Sequence, residues 1–586
     1  MPSCSRRGVA PLAGVVVACL AVGAGAQTFS TMVAAPDGTP LATDVYLPVG
    51  AGFGPWPVIL QRTPYGKDSN TVRASCLLFN VWGYACVGQD ERGKGESGGH
   101  YTGYVNEGDD GRATLEWIAA QWWCDGKVGT FGSSALGMAQ YALAPGAPAV
   151  LRCMVAIVGT PDYYGAAVYQ GGALRYALTH GWLESQNALD VFEELKAHRL
   201  YDAWWDSFAV LPRVGEVAVP TLHIGGWFDI FQQGTLDGFT AFQHMGAPGA
   251  SGTQKLIVGP WTHYDTFENT AGELTYPTNA IFADDVFTVV RDWFDHHLKG
   301  GRPGVERWPD VQVYLMGAVG EEGAGGNTWL ELPDWPPLAS TAVFHLDAGH
   351  GMAGAVPPPG ELPLTMDPAN PVPTLGGQEL ASEAGPYDQR PIETRPDVAS
   401  FTAPPLASPL TVVGRVRCRV FLRPDTRDLD VAVRLTDVYP DGRSMLVTDG
   451  IQRARKRCGG GSECFLVPGQ PVELVVDLWS TALVFARGHR IRIDISGSNA
   501  PRFEVNPNDG GDLNQPGPGV VAHPVLLLGP TYPSRLELPV LRPSPFPRRH
   551  LPRATGETRG MGAAYQAEGD VCAPPRGGGA GTREDR

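Results

Sequence analysis

The run Val128-Gly129-Thr130-Phe131-Gly132-Ser133-Ser134-Ala135-Leu136-Gly137 decides the fold. A short strand-like stretch closes on a glycine, two serines follow, and helix-forming residues come directly after them. A serine on such a strand-to-helix turn projects its hydroxyl above a sheet, and the flanking glycines permit the tight backbone the turn needs. Alone, the run reads at least as well as a helix N-capped by serine. Its neighbours along the chain have to decide.

Working outward, brief apolar runs alternate with helical patterns from Gln27 to about Gly300. The strand candidates are Val58-Ile59-Leu60, Tyr84-Ala85-Cys86-Val87, Met154-Val155-Ala156-Ile157-Val158, Thr221-Leu222-His223-Ile224 and Lys255-Leu256-Ile257-Val258, with helices such as Asp110 to Gln121 and Ala283 to Leu298 between or after them. Continuous apolar runs of this length suit strands buried on both faces of a parallel sheet with crossover helices, an α/β architecture. Residues 161–219 break the rhythm. Val191-Phe192-Glu193-Glu194-Leu195-Lys196 and Tyr201-Asp202-Ala203-Trp204-Trp205 predict a helical, aromatic-rich cap inserted between two sheet strands. After about residue 320 the apolar period becomes two. Val416, Cys418 and Val420 alternate with arginines, and Leu429 to Leu435, Val472 to Leu478 and Ile491 to Ile495 do likewise, as half-buried antiparallel strands of a β-sandwich do. The expected division is a first α/β part at 27–160, the cap at 161–219, a second α/β part at 220–320 and the β domain at 321–541. Residues 350–377 read as a proline-rich connection, and the polar segment 542–586 as a disordered tail.

The 586 residues carry a net charge of −16, with no basic stripe, which argues against nucleic acid or an anionic membrane as the main partner. Gly 75 and Pro 52 are scattered rather than periodic, which excludes a fibre and favours many loops. Residues 1–26 read as a secretion signal, with Arg6 and Arg7 before an apolar core at Val15 to Leu20 and a small-residue cleavage site at Ala24-Gly25-Ala26. The competing readings are an uncleaved anchor, a lipid anchor on the loose lipobox ending at Cys19, and a twin-arginine signal at Ser5-Arg6-Arg7. Secretion or periplasmic export is the expectation, with no membrane insertion after the signal is removed. Ten cysteines are present, two of them (Cys4, Cys19) in the leader. A small disulfide is expected between Cys458 and Cys464 around a glycine run, while Cys76, Cys86, Cys124 and Cys153 are expected to be buried thiols. There is no CxxC or HExxH, and His296-His297 lacks ligand spacing, so neither a metal nor a cofactor is expected.

Two strand ends give the serine turn its meaning. Thr221-Leu222-His223-Ile224-Gly225-Gly226-Trp227-Phe228-Asp229 puts an acid just past one strand, and Lys255-Leu256-Ile257-Val258-Gly259-Pro260-Trp261-Thr262-His263 puts a histidine past the next. Catalytic groups collect at the carboxyl ends of such strands, and the chain order Ser…Asp…His is that of α/β-hydrolases. A serine hydroxyl is a weak nucleophile near neutral pH and needs a general base, the part assigned to His263, with Asp229 holding the imidazole tautomer. Ser133 is the competing nucleophile, and His223 is expected to be a core histidine. The backbone N–H of Ala135 is a candidate oxyanion donor.

Arg62-Thr63-Pro64-Tyr65-Gly66-Lys67, then Gln89-Asp90-Glu91-Arg92-Gly93-Lys94-Gly95-Glu96-Ser97-Gly98-Gly99, the serine turn and both strand ends together resemble the Xaa-Pro dipeptidyl-peptidase/cocaine esterase family of serine hydrolases. Asp388-Gln389-Arg390, Phe401-Thr402, Asp437-Val438-Tyr439-Pro440-Asp441-Gly442-Arg443 and Gly488-His489-Arg490 extend the resemblance over nearly the whole chain after the leader. It implies an α/β-hydrolase domain with a helical cap and a C-terminal jelly roll, with Ser134 as nucleophile, Asp229 and His263 completing the triad, and Tyr65 as an oxyanion tyrosine beside Ala135. Members commonly have Tyr after the nucleophile, and this chain has Ala135, which keeps the backbone donor and reshapes the acyl pocket.

Members hydrolyse esters, amides or Xaa-Pro dipeptides. Relatives that hold a substrate ammonium place carboxylates just beyond the catalytic Asp, where this chain has Ile230-Phe231-Gln232-Gln233. Asp162 is the remaining acid candidate and reads as well as a turn cap. A neutral or acidic acyl group is therefore expected over a free amine. Trp227, Phe228, Trp261, Tyr163 and Tyr164 are the candidate pocket aromatics. The functional expectation is a serine hydrolase of esters or amides, with a dipeptidyl-peptidase as the alternative and an inert carbohydrate- or wall-binding protein as the third reading.

Overall fold

A computed structural model describes residues 29–49, 53–301, 304–380 and 383–541. The proposed leader and the tail from Arg542 lie outside them. Strands β1 (Phe29–Ala34) and β2 (Pro40–Tyr46) form a hairpin. Then β3 (Trp56–Thr63), α1 (Asn70–Val81), β4 (Ala85–Asp90), α2 (Glu107–Ala119), β5 (Cys124–Ser133), α3 (Ala135–Leu143) and β6 (Leu151–Ile157) alternate. After β6 the chain leaves the sheet through a π-turn (Tyr163–Val168), a small hairpin of β7 (Tyr169–Gln170) and β8 (Ala173–Leu174), and helices α4 (Tyr176–Ser185), α5 (Leu189–Ala197) and α6 (Ala203–Asp206). It returns through β9 (Thr221–Phe228), α7 (Gln232–Met245), β10 (Lys255–Thr262), the hairpin β11 (Thr270–Ala271) and β12 (Leu274–Thr275), α8 (Ala283–Phe294), β13 (Val311–Leu315) and β14 (Thr328–Leu332).

Ten of these strands make one sheet in the order β1-β2-β4-β3-β5-β6-β9-β10-β13-β14. Pairing is parallel from β4 through β13 and antiparallel at both edges. The central strands are mostly apolar because helices cover both faces; all eight residues of β3, β9 and β10 are buried. Helix α8 presents Val286, Val289, Val290, Trp293 and Phe294 to the core, the spacing of one helical face.

The sheet runs further than the expected boundary at 320. β13 and β14 pair residue for residue across a glycine-rich loop, so the last sheet strand ends at Leu332. The edge hairpin β1–β2 has no counterpart among the expected strands. The proline-rich connection also contributes a strand, Gly360–Pro363, paired with Val525–Leu528.

The C-terminal part is an all-β sandwich. In one sheet Leu410–Arg423 pairs with Val472–Phe485, Val525–Leu528 and Arg535–Leu541; the other runs in the order Ala399–Thr402, Arg490–Ser496, Asp430–Val438, Ser444–Arg453. The alternation read from the sequence is the inward set: Val416, Cys418, Val420, Leu474, Val476, Leu478, Ile491, Ile493 and Ile495 are buried. Between them Arg415 and Arg419 turn outward to Asp477, Glu473 and Glu537. The sandwich core is continuous with Trp227, Phe228, Leu256 and Val313 of the sheet, so the two parts share one apolar interior.

Cys458 and Cys464 are bonded as expected. Cys76 and Cys86 are also bonded, which corrects their reading as free thiols. Helix α1 packs along β4 and brings two cysteines ten positions apart within a Cα–Cα distance of 5.2 Å. Cys124 and Cys153 are free.

Candidate active site

The serine turn lies between β5 and α3. Ser134 has φ +56° and ψ −124°, a conformation that costs an L-residue about 1–3 kcal/mol and persists only where its surroundings impose it. Two backbone hydrogen bonds impose it: Ser134 N–H donates to Ile157 O (2.9 Å), and Met138 N–H donates to Ser134 O (2.9 Å). Glycine at 132 is obligatory, since a Cβ there would lie 2.4 Å from Leu136 Cβ. The turn aims the Ser134 hydroxyl at His263, whose Nε2 is 2.9 Å from Oγ.

His263 and Asp229 are the first residues past β10 and β9, adjacent parallel strands whose ends meet at the Thr262–Phe228 pair. The imidazole Nδ1 lies 2.5 Å from Asp229 Oδ1, and Asp229 Oδ2 accepts from the Phe231 N–H at 2.9 Å. Asp229 is fully buried and His263 nearly so. The fold thus brings the three residues singled out in the sequence into one hydrogen-bonded chain, and the imidazole reaches Ser134 rather than Ser133. Such a chain can move a proton from the hydroxyl to Nε2 while the carboxylate stabilises the imidazolium.

Tyr65 sits on the turn between β3 and α1, its N–H held by Thr63 Oγ1 at 3.0 Å, with the phenol in the same cleft as Ser134. Burial pushes the phenol well above its ordinary range; hydrogen bonds with Trp182 and, more weakly, Ser134 pull the other way. Neutral at physiological pH, it is a donor. Ala135 is the first residue of α3, where an N–H has no intrahelical acceptor and the helix dipole favours negative charge.

The cleft opens into a cavity of about 480 Å³. The cap supplies much of its wall through Leu178, Trp182, Val191, Leu195, Trp204 and Phe208, with the stacked rings of Tyr104 and Tyr163 beside them. Among the described residues, the lining contains no Asp, Glu, Lys or Arg. Nearby, Glu91 is buried with neither carboxylate oxygen hydrogen-bonded; burial, reinforced by Glu107, pushes its pKa well above the usual carboxylate range.

Several expected pocket residues lie elsewhere. The Trp227 indole N–H donates to Tyr314 O and the Trp261 indole to Ala280 O, while Phe228 packs into the core shared with the sandwich. Rings at these strand ends turn into the layers around the sheet, away from the cleft. Of the two tyrosines, Tyr163 lines the cavity; Tyr164 bonds Arg199 O and packs among cap aromatics. Asp162 is a turn cap, its carboxylate accepting from Gly165 N–H at 2.7 Å, and burial raises its pKa to about 6. His223 is a buried histidine between Tyr141 and Gln254, held neutral by burial with its pKa pulled down to about 3. The cap residues of the lining were missed in the sequence, although Leu178 and Trp182, and Val191 and Leu195, stand one helical turn apart.

Arg175 was also missed. Its buried guanidinium donates from Nη1 to Ala166 O (2.5 Å) and Ile230 O (2.7 Å), tying the cap to the residue after Asp229, and burial lowers its pKa to about 9.

Residues 37–191 and 182–265 match the X-Pro dipeptidyl-peptidase (S15) family, and residues 303–537 match the X-Pro dipeptidyl-peptidase C-terminal non-catalytic domain. The cocaine esterase of Rhodococcus sp. (strain MB1 Bresler) is 31% identical over 585 residues, covering 88% of this chain and 98% of that protein. Among solved structures, an aminopeptidase from the marine sediment archaeon Thaumarchaeota archaeon superposes with a TM-score of 0.75 at 22% identity, and an α-amino acid ester hydrolase with 0.73 at 24%. Each comparison covers 88% of this chain and 96% of the other, and each is a likeness of fold.

Proposed function

The chain belongs to the Xaa-Pro dipeptidyl-peptidase/cocaine esterase family of serine hydrolases, and from that premise we propose that it cleaves carboxylic esters with neutral, apolar acyl groups through an acyl-enzyme. The observation that carries this reading is the Ser134–His263–Asp229 hydrogen-bonded chain facing a cavity without charged side chains. Ser134 Oγ attacks the carbonyl carbon as His263 Nε2 takes its proton. The oxyanion accepts from the Tyr65 hydroxyl and the Ala135 N–H, each donor supplying about 3 kcal/mol of barrier reduction. Collapse expels the alcohol, protonated by His263, and water activated by the same imidazole hydrolyses the acyl-serine.

The dipeptidyl-peptidase alternative requires the cavity to receive a substrate ammonium. An ammonium buried there would meet no Asp or Glu among the described lining residues, a desolvation cost with little to offset it. Turnover of p-nitrophenyl acyl esters against release of p-nitroaniline from Ala-Pro and Gly-Pro anilides separates the two. Ester turnover at least a hundredfold above anilide turnover is expected, and the reverse order would overturn the assignment. A catalytically inert binding protein would turn over neither.

Export of the mature chain belongs to the same proposal. It is supported by the leader composition and by two disulfides, which persist in oxidising compartments. A mature amino terminus at Gln27 in the exported protein is the expected result.

A further inference from the structure

The Trp182 indole Nε1 lies 3.0 Å from the Tyr65 hydroxyl oxygen. Indole N–H only donates, so it occupies a lone pair of the phenol and leaves the phenolic proton with no reason to point toward the cap. The indole is itself held in plane. Trp182 stacks on Tyr104 (centroids 6.3 Å, planes 6° apart), and Tyr104 stacks on Tyr163 (4.9 Å, 5°). Tyr163 in turn donates its hydroxyl to Met138 O at 2.9 Å, on the helix that begins after Ser134. The three rings therefore form a rigid arm from the helix behind the nucleophile to the phenol in front of it. Tyr65 lies on a turn and is 40% exposed as a residue, so its phenol is oriented by its two hydrogen-bond partners, Trp182 and Ser134.

We propose that Trp182 is a positioning residue for the oxyanion hole, its indole N–H directing the Tyr65 hydroxyl proton at the developing oxyanion. The role rests on the serine-hydrolase reading above, and it makes transition-state stabilisation depend on the cap being seated. Donation into a hydroxyl also strengthens that hydroxyl as a donor, in the usual manner of hydrogen-bond chains.

The test is a double-mutant cycle in p-nitrophenyl ester hydrolysis. Trp182→Phe keeps the stacked ring and removes the donor. It is expected to lower kcat about tenfold, the scale of one hydrogen bond, with KM within about twofold. Tyr65→Phe is expected to cost about 10²–10³ in kcat, and the double variant to be no slower than Tyr65→Phe alone. Affinity for a trifluoromethyl ketone, which forms a tetrahedral adduct on Ser134, should fall in step with kcat/KM in Trp182→Phe, while affinity for the product acid stays unchanged. The inference is overturned by a wild-type kcat in Trp182→Phe, by a loss confined to KM, or by losses that multiply in the double variant. All three outcomes leave the hydrolase reading standing. That reading fails separately, if Ser134→Ala retains wild-type turnover.

Discussion

Replacing Asp229 by Asn gives the most discriminating single change, because the geometry dictates which way the amide turns. Asp229 Oδ2 accepts the Phe231 N–H at 2.9 Å while Oδ1 meets His263 Nδ1 at 2.5 Å. The side chain is fully buried, so the amide oxygen of the variant must stay beneath the Phe231 donor or leave it unsatisfied, at about 1–3 kcal/mol. The amide NH₂ then faces Nδ1. Imidazole can accept it only by carrying its own proton on Nε2, the nitrogen 2.9 Å from Ser134 Oγ, and the base is lost. A wrong-tautomer histidine costs about 10⁴ in kcat in serine hydrolases, about 5 kcal/mol of barrier. Asp229 is absent from the cavity lining, so KM should change little. Steady-state p-nitrophenyl ester hydrolysis at pH 7.5 reads the effect, with thermal melting as the check on folding. A folded Asp229→Asn variant within tenfold of wild-type kcat would refute the argument, as would a loss carried by KM.

Two further predictions concern the frame around the site. The Cys76–Cys86 bridge closes a ten-residue separation between α1 and β4, and loop-closure entropy gives it about 3 kcal/mol; the double Ser variant should show a correspondingly lower urea midpoint, and an unchanged midpoint would contradict this. In the sandwich, His489 is held between Asp437 (2.8 Å) and Glu321 (3.0 Å) with the Tyr439 ring against it. Burial pulls its pKa down, but the two carboxylates raise it further and the net direction is up. A raised folded pKa means the stabilisation is complete below the ordinary histidine range, near pH 6.5, and is lost as pH rises through the raised value. Melting temperature should therefore fall between pH 6 and 9 in the wild type and vary less in His489→Gln, while parallel curves would remove His489 from the effect.

The hydrogen-bonded chain proposed as catalytic was legible because each member stands where an apolar strand stops. Gly132, Gly225-Gly226 and Gly259 punctuate strands buried on both faces, and in a parallel sheet such ends converge whatever fills the loops between them. The cavity walls were less legible. Trp227 and Trp261 stand within two residues of the acid and the histidine, but proximity in the chain does not fix which layer a ring enters, and both turn to carbonyls outside the cleft. Much of the wall comes from cap helices whose packing is set by tertiary contacts, so Trp182 had no signal in the sequence. The Cys76–Cys86 bond depends in the same way on how α1 crosses β4. Strand β14 escaped because its five residues follow a glycine-rich loop and their partner strand is set by tertiary pairing.

On the proposed mechanism Ser134, activated by His263, is the residue that becomes acylated. Treating the folded protein with a fluorophosphonate and sequencing the modified peptide by mass spectrometry tests it directly. One adduct per chain is expected, on Ser134, absent from Ser134→Ala and greatly slowed in His263→Ala. An active protein that stays unmodified, or one modified at Ser133 in its place, would contradict it.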